Sequence, residues 1–329
     1  MDPLSRIRLG KTRLQVSRLG QGGAPLGGLF QDLPDDTAVA TVRRALSLGI
    51  NFFDTAPLYG HGKSEARIGR ALAGASDIVL ATKVGRVLVP VSRDQLQPDE
   101  FDNPAPFRPV FDFSYDGVMR SFEASLKRLN VERIDILHIH DPDNHHEQAI
   151  RGAYPALDKL RSQGLISAVG AGMNQAEMLA RFAREGDFDC FLLAGRYTLI
   201  DHPGLKELLP LCVEKGIGII IGGPYNSGVL ASGAKPGAKF NYADAPPAIL
   251  EKVRKVEAVC ARHSVPMKAA ALQFPLAHPA VAAVIPGARS IAELEENYQL
   301  IRHPIPADFW AELRAEKIIP EEAPVPASA

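Results

Sequence analysis

A regular alternation of strand-like and helix-like segments constrains the fold of this chain more than any other feature. Short apolar runs rich in β-branched residues are each followed by a polar turn and then by a segment with the apolar period of an amphipathic helix. The predicted strands are 17–22, 50–54, 78–83, 134–140, 166–170, 188–194, 217–221 and 281–286. The predicted helices are 36–48, 64–72, 115–129, 147–163, 175–185, 205–215, 248–263 and 291–300.

Eight strand–helix repeats in 329 residues predict a (β/α)8 TIM barrel in a single domain that spans residues 1–329. The alternative is a doubly wound open sheet. Neither a linker nor a shift in composition divides the chain, and the segments 20–23 and 170–172 contain only fragments of the G-x-G-x-x-G fingerprint. These two observations favour the barrel. The alternating residues 7–16 predict an N-terminal β-hairpin that closes its lower end.

Two long connections follow predicted strands, at 85–113 and 224–245. In a barrel, such loops lie over the C-terminal face, where active sites form. The stretch 98–113 is rich in Pro and Phe. It is interpreted either as the wall of an apolar pocket or as an ordinary ordered loop.

Charge and cysteine content exclude several classes of protein. The formal net charge is −1 and the isoelectric point is about 6.8, so no overall field favours nucleic acid or an anionic membrane. The three cysteines, Cys190, Cys212 and Cys260, are widely spaced, which predicts neither a metal site nor a disulfide framework. No long apolar stretch indicates a signal peptide or a membrane span. We therefore expect a soluble cytoplasmic protein, either a monomer or a homodimer.

Four polar residues end or directly follow predicted strands. Asp54 and Tyr59 follow the second strand, Lys83 ends the third and His140 ends the fourth. Consecutive strands are neighbours in a barrel, so these side chains are expected to converge on one rim. A lysine cation favours the phenolate form of a nearby tyrosine, a carboxylate holds that lysine charged, and a histidine orients a substrate oxygen. This set suits proton transfer at a carbonyl or alcohol oxygen.

Each residue alone also has a structural explanation, since buried Asp–Lys pairs and strand-end tyrosines are common in protein cores. His138 is interpreted in this way, as a core histidine with its hydrogen bonds satisfied. Two further motifs are interpreted as structural. Gly62-Lys63-Ser64 is interpreted as a helix start capped by Ser64, and His145-His146-Glu147 as a solvated loop without metal.

The sequence as a whole resembles the aldo-keto reductase superfamily from Leu9 to about Ile301. The most specific stretches are 51–60, Ser64-Glu65, 81–83 and 140–142. The resemblance implies a (β/α)8 barrel, a catalytic tetrad, and a nicotinamide cofactor bound across the C-terminal rim without a Rossmann domain. The tetrad that it implies is Asp54, Tyr59, Lys83 and His140.

The cofactor site that the resemblance implies lies after strands five, seven and eight. NADP-binding relatives often carry cations where this chain has Gly287 and Glu293. A carboxylate repels a 2′-phosphate and accepts hydrogen bonds from the 2′-hydroxyl of NAD, which predicts NAD rather than NADP. The alternative is that Glu293 is only an exposed helix residue. Arg289 is expected either to bind the phosphates or to stack, and Glu296 and Asn297 are expected to contact the adenine.

The chain departs from the superfamily pattern around the nicotinamide. The usual Ser-Asn pair after strand five is replaced by Gly172-Met173, with Asn174 one place later. Gly222 stands where a stacking tyrosine is common, and the predicted cofactor site continues through Pro224 and Ser227. The segments 172–175 and 193–199 resemble a bacterial subgroup of NAD-dependent sugar dehydrogenases.

The predicted function is therefore NAD-dependent oxidation of the C1 hemiacetal of a sugar, such as L-fucose, D-arabinose or L-galactose, to a lactone. One alternative is the same chemistry on pyridoxal, which also forms a cyclic hemiacetal. Three more functions are compatible with the sequence: an NADPH-dependent aldehyde or ketone reductase, a non-catalytic nicotinamide-binding subunit, and a lyase or isomerase with Lys83 as Schiff-base nucleophile.

Overall fold

The computed structural model describes residues 2–327, so the ends of the predicted domain 1–329 lie outside the described residues. The strands are β1 Arg6–Arg8, β2 Gln15–Ser17, β3 Gln21–Gly22, β4 Phe52–Asp54, β5 Val79–Val84, β6 Arg86–Pro90, β7 Phe107–Phe111, β8 Ile136–His140, β9 Ala168–Met173, β10 Cys190–Ala194, β11 Gly218–Gly222, β12 Lys239–Phe240, β13 Ala243–Asp244 and β14 Val281–Ile285. The α-helices are α1 Asp35–Ser47, α2 Lys63–Leu72, α3 Tyr115–Leu129, α4 His146–Gln148, α5 Tyr154–Ser162, α6 Ala176–Glu185, α7 Pro203–Lys206, α8 Leu208–Lys215, α9 Val229–Ser232, α10 Pro247–His263, α11 Met267–Leu276, α12 Ile291–Leu300 and α13 Ala307–Ala315.

Eight strands form one parallel sheet in the order β14-β11-β10-β9-β8-β5-β4-β3. The sheet closes on itself where Gly20 N donates to Val284 O and Val284 N donates to Arg18 O, each at 2.9 Å. The (β/α)8 barrel prediction is confirmed, and the open-sheet alternative is wrong. The first barrel strand is shorter than predicted, because Ser17 ends β2 and only Gln21–Gly22 remains for β3.

The predicted N-terminal hairpin is confirmed, and it closes the lower end of the barrel. Leu9 and Val16 are fully buried among the side chains of the barrel interior. Gly10 makes this close approach possible, because a Cβ atom there would lie 2.5 Å from Gly218 N and 2.7 Å from Asp189 O. The opposite end of the barrel is thus the open one.

The outer layer contains all eight predicted helical segments, each with ends within two residues of the expected ones, although 147–163 and 205–215 are each divided. The structure adds α11, α13 and the short α9. The sequence gives no signal for α11 because its residues 269–276 are buried on every side, which removes the polar face that marks an amphipathic helix. No described helix is long and apolar enough to cross a membrane. The three cysteines are free and buried.

The two long connections lie over the C-terminal face as expected, and both contain additional strands. Segment 85–113 forms the antiparallel hairpin β6–β7, and its Phe101 pairs with Leu29 in an isolated bridge. Segment 224–245 contains the small hairpin β12–β13. These two segments form walls around the open end of the barrel.

Candidate active site

Neighbouring strands bring the four predicted catalytic side chains to the open rim. Asp54 is the last residue of β4, Lys83 lies in β5, and His140 is the last residue of β8. β4 pairs with β5 and β5 with β8, with Lys83 in register with His138. Tyr59 lies in the turn that follows β4. The order of the strands along the chain therefore places all four residues at one end of the barrel.

Asp54 and Lys83 form a buried ion pair beneath this rim. Lys83 Nζ donates to Asp54 Oδ2 at 2.7 Å and to Thr55 O at 2.8 Å. Both side chains are almost completely inaccessible. Burial raises the pKa of the Asp54 carboxyl, and the charge and hydrogen bond of Lys83 counteract that rise. The pair holds the ammonium group at a fixed position.

Tyr59 lies directly above this ion pair. Lys83 Nζ is 4.6 Å from the centroid of its ring, and the ring contacts those of His140 and Phe101 at centroid distances of 5.8 and 6.0 Å. Burial, followed by the charge of Asp54, raises the pKa of Tyr59 well above its ordinary value. That Lys83 favours the phenolate during the reaction stays a prediction. Tyr59 is a protonated phenol at neutral pH.

His140 is a neutral hydrogen-bonding group beside this phenol. Burial lowers its pKa well below the ordinary value, and the nearby charges of Lys83 and Arg86 lower it further. Its Nε2 lies 3.5 Å from Asp141 Oδ2. A neutral imidazole is able to donate a hydrogen bond to a substrate oxygen without adding charge to the site.

His138 lies deeper in the barrel, as the sequence predicts, but its hydrogen bonds are not satisfied. Within residues 2–327, neither ring nitrogen has a hydrogen-bond partner. Burial, reinforced by the charge of Lys83, lowers its pKa to about 3. Gly170 leaves room for this ring, since a Cβ there would lie 2.3 Å from His138 Nδ1. His138 is therefore a core histidine, as interpreted from the sequence, but the expectation that its hydrogen bonds are satisfied is wrong.

A cavity of about 480 Å³ opens above Tyr59, Lys83 and His140. The segment 98–113 does form part of its wall, through Pro98, Phe101, Phe107 and Pro109. The wall is not purely apolar, however. Charged and polar side chains also line the cavity, among them His61, Arg86, Gln95, Asp99, Glu100, Arg108, Asp141 and Asn174. This mixture suits a small substrate with several hydroxyl groups.

The predicted nicotinamide contacts fall into two groups. Gly172, Met173 and Asn174 line the same cavity as the tetrad. Gly222 ends the neighbouring barrel strand β11, and Pro224 and Ser227 follow it at the rim. Ser227 has a left-handed backbone conformation (φ 56°), and its Oγ accepts a hydrogen bond from Tyr242 N at 3.0 Å.

Glycines leave this part of the rim without protruding side chains. A Cβ at Gly172 would lie 3.4 Å from Leu192 Cβ and 3.7 Å from Lys83 Cε, and one at Gly222 would lie 3.0 Å from Leu192 Cδ2. Asn226 Oδ1, in the loop after β11, is buried without a hydrogen-bond partner among the described residues. A flat ring with an amide substituent fits such a surface, so these residues are suited to hold a nicotinamide.

The remaining predicted cofactor residues lie after β14 and do not line the cavity. Glu293 Oε2 accepts a hydrogen bond from Arg289 N at 2.9 Å, and Glu293 Oε1 lies 3.4 Å from Arg289 Nη2. Gly287 precedes this pair in the loop. Glu296 is bonded to Lys268 Nζ at 2.7 Å, and Asn297 Oδ1 accepts a hydrogen bond from Tyr225 O–H at 2.6 Å. The Tyr225–Asn297 bond connects this region to the loop after β11.

Sequence reasoning assigned no role to several cavity residues. Arg86 directly follows Gly85 after β5, and Asp141 follows His140, so their position beside strand ends was the available signal. Phe101 and Tyr242 come from the middle of long loops, where no periodic pattern fixes the position of a side chain.

The prediction that Ser64 caps α2 is wrong. Its hydroxyl donates to Gly23 O at 2.8 Å, and the residue that precedes the helix is Gly62.

Comparison with known proteins agrees with this fold. The model of the aldo/keto reductase family matches residues 18–317. The chain is 39% identical to a pyridoxal 4-dehydrogenase of Microbacterium luteolum over 94% of its length and 97% of that protein. It is 38% identical to a D-threo-aldose 1-dehydrogenase of a Pseudomonas species, over 93% and 96% of the two chains. An aldo-keto reductase structure from Bacillus halodurans, in its holo form, superimposes with a TM-score of 0.74 at 25% identity and covers 98% of each chain.

The chain therefore belongs to the aldo/keto reductase family. More particularly, it is an NAD(P)-dependent oxidoreductase of that family, with a small-molecule substrate.

Proposed function

We propose that the protein is an NAD-dependent aldose 1-dehydrogenase that oxidises the C1 hemiacetal of a sugar such as L-fucose, D-arabinose or L-galactose to a lactone. The observation that carries the proposal is the position of Tyr59 and His140 at the base of a cavity with many polar side chains, directly above the Lys83–Asp54 pair. Similarity to a D-threo-aldose 1-dehydrogenase over nearly the whole chain supports it.

The chain's own residues handle the proton of the reaction. His140 donates a hydrogen bond to the reacting oxygen and orients it toward Tyr59. In the oxidative direction, the C1 hydroxyl gives its proton to the Tyr59 oxygen as the C1–H bond breaks and the lactone carbonyl forms. Lys83, held by Asp54, stabilises negative charge on the Tyr59 oxygen before that transfer. A bound oxidised nicotinamide supplies the hydride acceptor and a positive charge.

Burial raises the pKa of Tyr59, so we expect that deprotonation of the phenol limits oxidation near neutral pH. The rate of oxidation is therefore expected to rise with pH in the alkaline range, whereas reduction uses the protonated phenol that is already present. The Schiff-base alternative is not supported, because Lys83 is almost fully buried and its ammonium is paired with Asp54. A nucleophilic amine has to be uncharged and accessible.

The proposal includes NAD as the preferred cofactor. Glu293 places a carboxylate in the first turn of α12, next to Arg289. A carboxylate here disfavours the additional phosphate of NADP and engages the arginine that would otherwise be free to bind it.

A second candidate is oxidation of pyridoxal to its lactone, which the similarity to a pyridoxal 4-dehydrogenase favours. The chemistry at Tyr59 is the same, because pyridoxal also presents a cyclic hemiacetal. An NADPH-dependent carbonyl reductase is the remaining alternative, and a comparison of the affinities for NAD and NADP distinguishes it.

The test is a spectrophotometric assay of NADH formation with L-fucose, D-arabinose, L-galactose and pyridoxal, with identification of the lactone product. The matched control is methyl L-fucopyranoside, which has the same ring but lacks the free C1 hydroxyl. We expect NADH from at least one free sugar and none from the glycoside. Oxidation of pyridoxal alone would favour the second candidate, and no NADH from any hemiacetal would overturn the proposal.

A further inference from the structure

Arg86 lies two residues beyond the end of β5, the strand that carries Lys83. β5 ends at Val84, the chain turns at Gly85 with a left-handed backbone (φ 99°), and Arg86 begins β6 at the rim. A Cβ at Gly85 would lie 2.2 Å from the Phe113 ring, so the turn has little room to change. The position of Arg86 relative to Lys83 is therefore set by the backbone.

The guanidinium group of Arg86 is also held from two sides. Arg86 Nη2 donates to Asp141 Oδ2 at 2.9 Å, and its Cζ lies 4.4 Å from the centroid of the Phe111 ring. The same carboxylate oxygen of Asp141 lies 3.5 Å from His140 Nε2. Asp141 itself has a left-handed backbone (φ 42°), and its N–H donates to Gly172 O at 3.0 Å. These contacts fix the position of the Arg86 guanidinium group relative to Asp141 and His140.

Arg86 differs from the other cations that line the cavity. Lys83 already uses its ammonium group on Asp54 and Thr55. Arg108 is exposed on β7. Arg86 is largely buried, with about 19% of its side chain exposed, and Asp141 engages only part of its set of five N–H donors. The charge of Arg86 also opposes the rise in the pKa of Tyr59 and adds to the lowering of the pKa of His140, as expected for a cation beside these two groups.

We propose that Arg86 selects the substrate by binding an oxygen atom that lies near the reacting carbon but outside the hemiacetal group. This role deepens the proposed function and rests on it. In an aldose that atom is the oxygen on C2, the carbon next to C1. In pyridoxal it is the phenolic oxygen on ring carbon C3, which is one bond farther from the reacting C4′. A fixed guanidinium binds either a hydroxyl oxygen or an anionic oxygen, and it leaves Tyr59 and His140 free for the reacting oxygen. Arg86 is therefore a specificity-determining residue for substrates with an oxygen at that position.

The test removes both partners of the proposed contact in turn. The specificity constants kcat/KM of wild type, Arg86→Met and Arg86→Lys are measured with NAD on L-fucose and 2-deoxy-L-fucose, and on pyridoxal and 3-deoxypyridoxal. The matched control is Arg108→Met, which removes the same charge from an exposed position on the wall of the same cavity. The ratio between each substrate and its deoxy analogue is independent of the fraction of enzyme that is folded.

We expect wild type and Arg108→Met to prefer the oxygenated substrate by about 10-fold to 100-fold, in line with a hydrogen bond to a charged group. In Arg86→Met this preference should fall toward one, and Arg86→Lys should keep part of it. An unchanged preference in Arg86→Met, or no preference in wild type, would overturn the assignment of Arg86 while the proposed oxidation stands. If wild type oxidises no hemiacetal, the proposed function falls, and this inference falls with it.

Discussion

Replacing Glu293 by glutamine should shift the cofactor preference toward NADP. The substitution keeps the size of the side chain and removes its charge. In the structure the Glu293 carboxylate accepts a hydrogen bond from Arg289 N at 2.9 Å and lies 3.4 Å from Arg289 Nη2. The change therefore removes a negative charge from α12 and weakens the hold on a nearby arginine.

Both consequences favour a 2′-phosphate. Repulsion between a carboxylate and a dianionic phosphate on the order of 7 Å apart in water amounts to ~1 kcal/mol. Release of Arg289 to pair with the phosphate at an exposed site contributes about 1 kcal/mol more. A total of ~2 kcal/mol corresponds to roughly a 30-fold change in the ratio of the two cofactors.

The assay compares kcat/KM for NAD and NADP, together with the dissociation constants from quenching of protein fluorescence. Glu295→Gln is the control, because it removes the same charge from the same helix, where Glu295 pairs instead with Arg44 at 2.7 Å. The NADP-to-NAD ratio should rise in Glu293→Gln and change little in Glu295→Gln. Equal changes in both variants would refute the assigned role of Glu293.

Two further predictions concern stability. Burial lowers the pKa of His138 from 6.5 to about 3, so between these pH values the unfolded chain binds one more proton than the folded chain. The free energy of unfolding therefore decreases by ~1.4 kcal/mol for each unit by which the pH is lowered. His138→Gln should make the decline shallower in urea unfolding at pH 7, 6 and 5, and parallel slopes would contradict it. Gly10→Ala should lower the free energy of unfolding by about 2–4 kcal/mol, because the new Cβ would lie 2.5 Å from Gly218 N. Gly74→Ala, with a similar positive φ and nothing within 4 Å, should cost only about 1 kcal/mol, and equal losses would show that the hairpin contact is unimportant.

The barrel was predictable because its signals are local. Most barrel strands are short apolar runs, and glycines with positive φ at Gly49, Gly164 and Gly216 end the helices that precede the next strands. The convergence of Asp54, Lys83 and His140 followed from the strand order alone. Tyr59 was identified by its position just after the second strand, and the resemblance to the aldo/keto reductase family added the cofactor segments.

What the sequence did not predict depends on contacts between distant segments. The contact of Phe101 with Tyr59 depends on how the loop 91–106 folds back, and no periodic pattern encodes that path. The pKa of Tyr59 is raised by burial and by the charge of Asp54, which are properties of the assembled site. Helix α11 was missed because complete burial removes the amphipathic pattern.

The most direct test of the account is the activity of Tyr59→Phe, in which the substitution removes only the phenolic oxygen from a ring that packs against His140 and Phe101. The account predicts that kcat falls by about 10²-fold to 10⁴-fold, while the dissociation constant for NADH and the melting temperature stay close to those of wild type. Near-normal turnover by Tyr59→Phe would contradict the claim that this hydroxyl transfers the proton that accompanies hydride transfer.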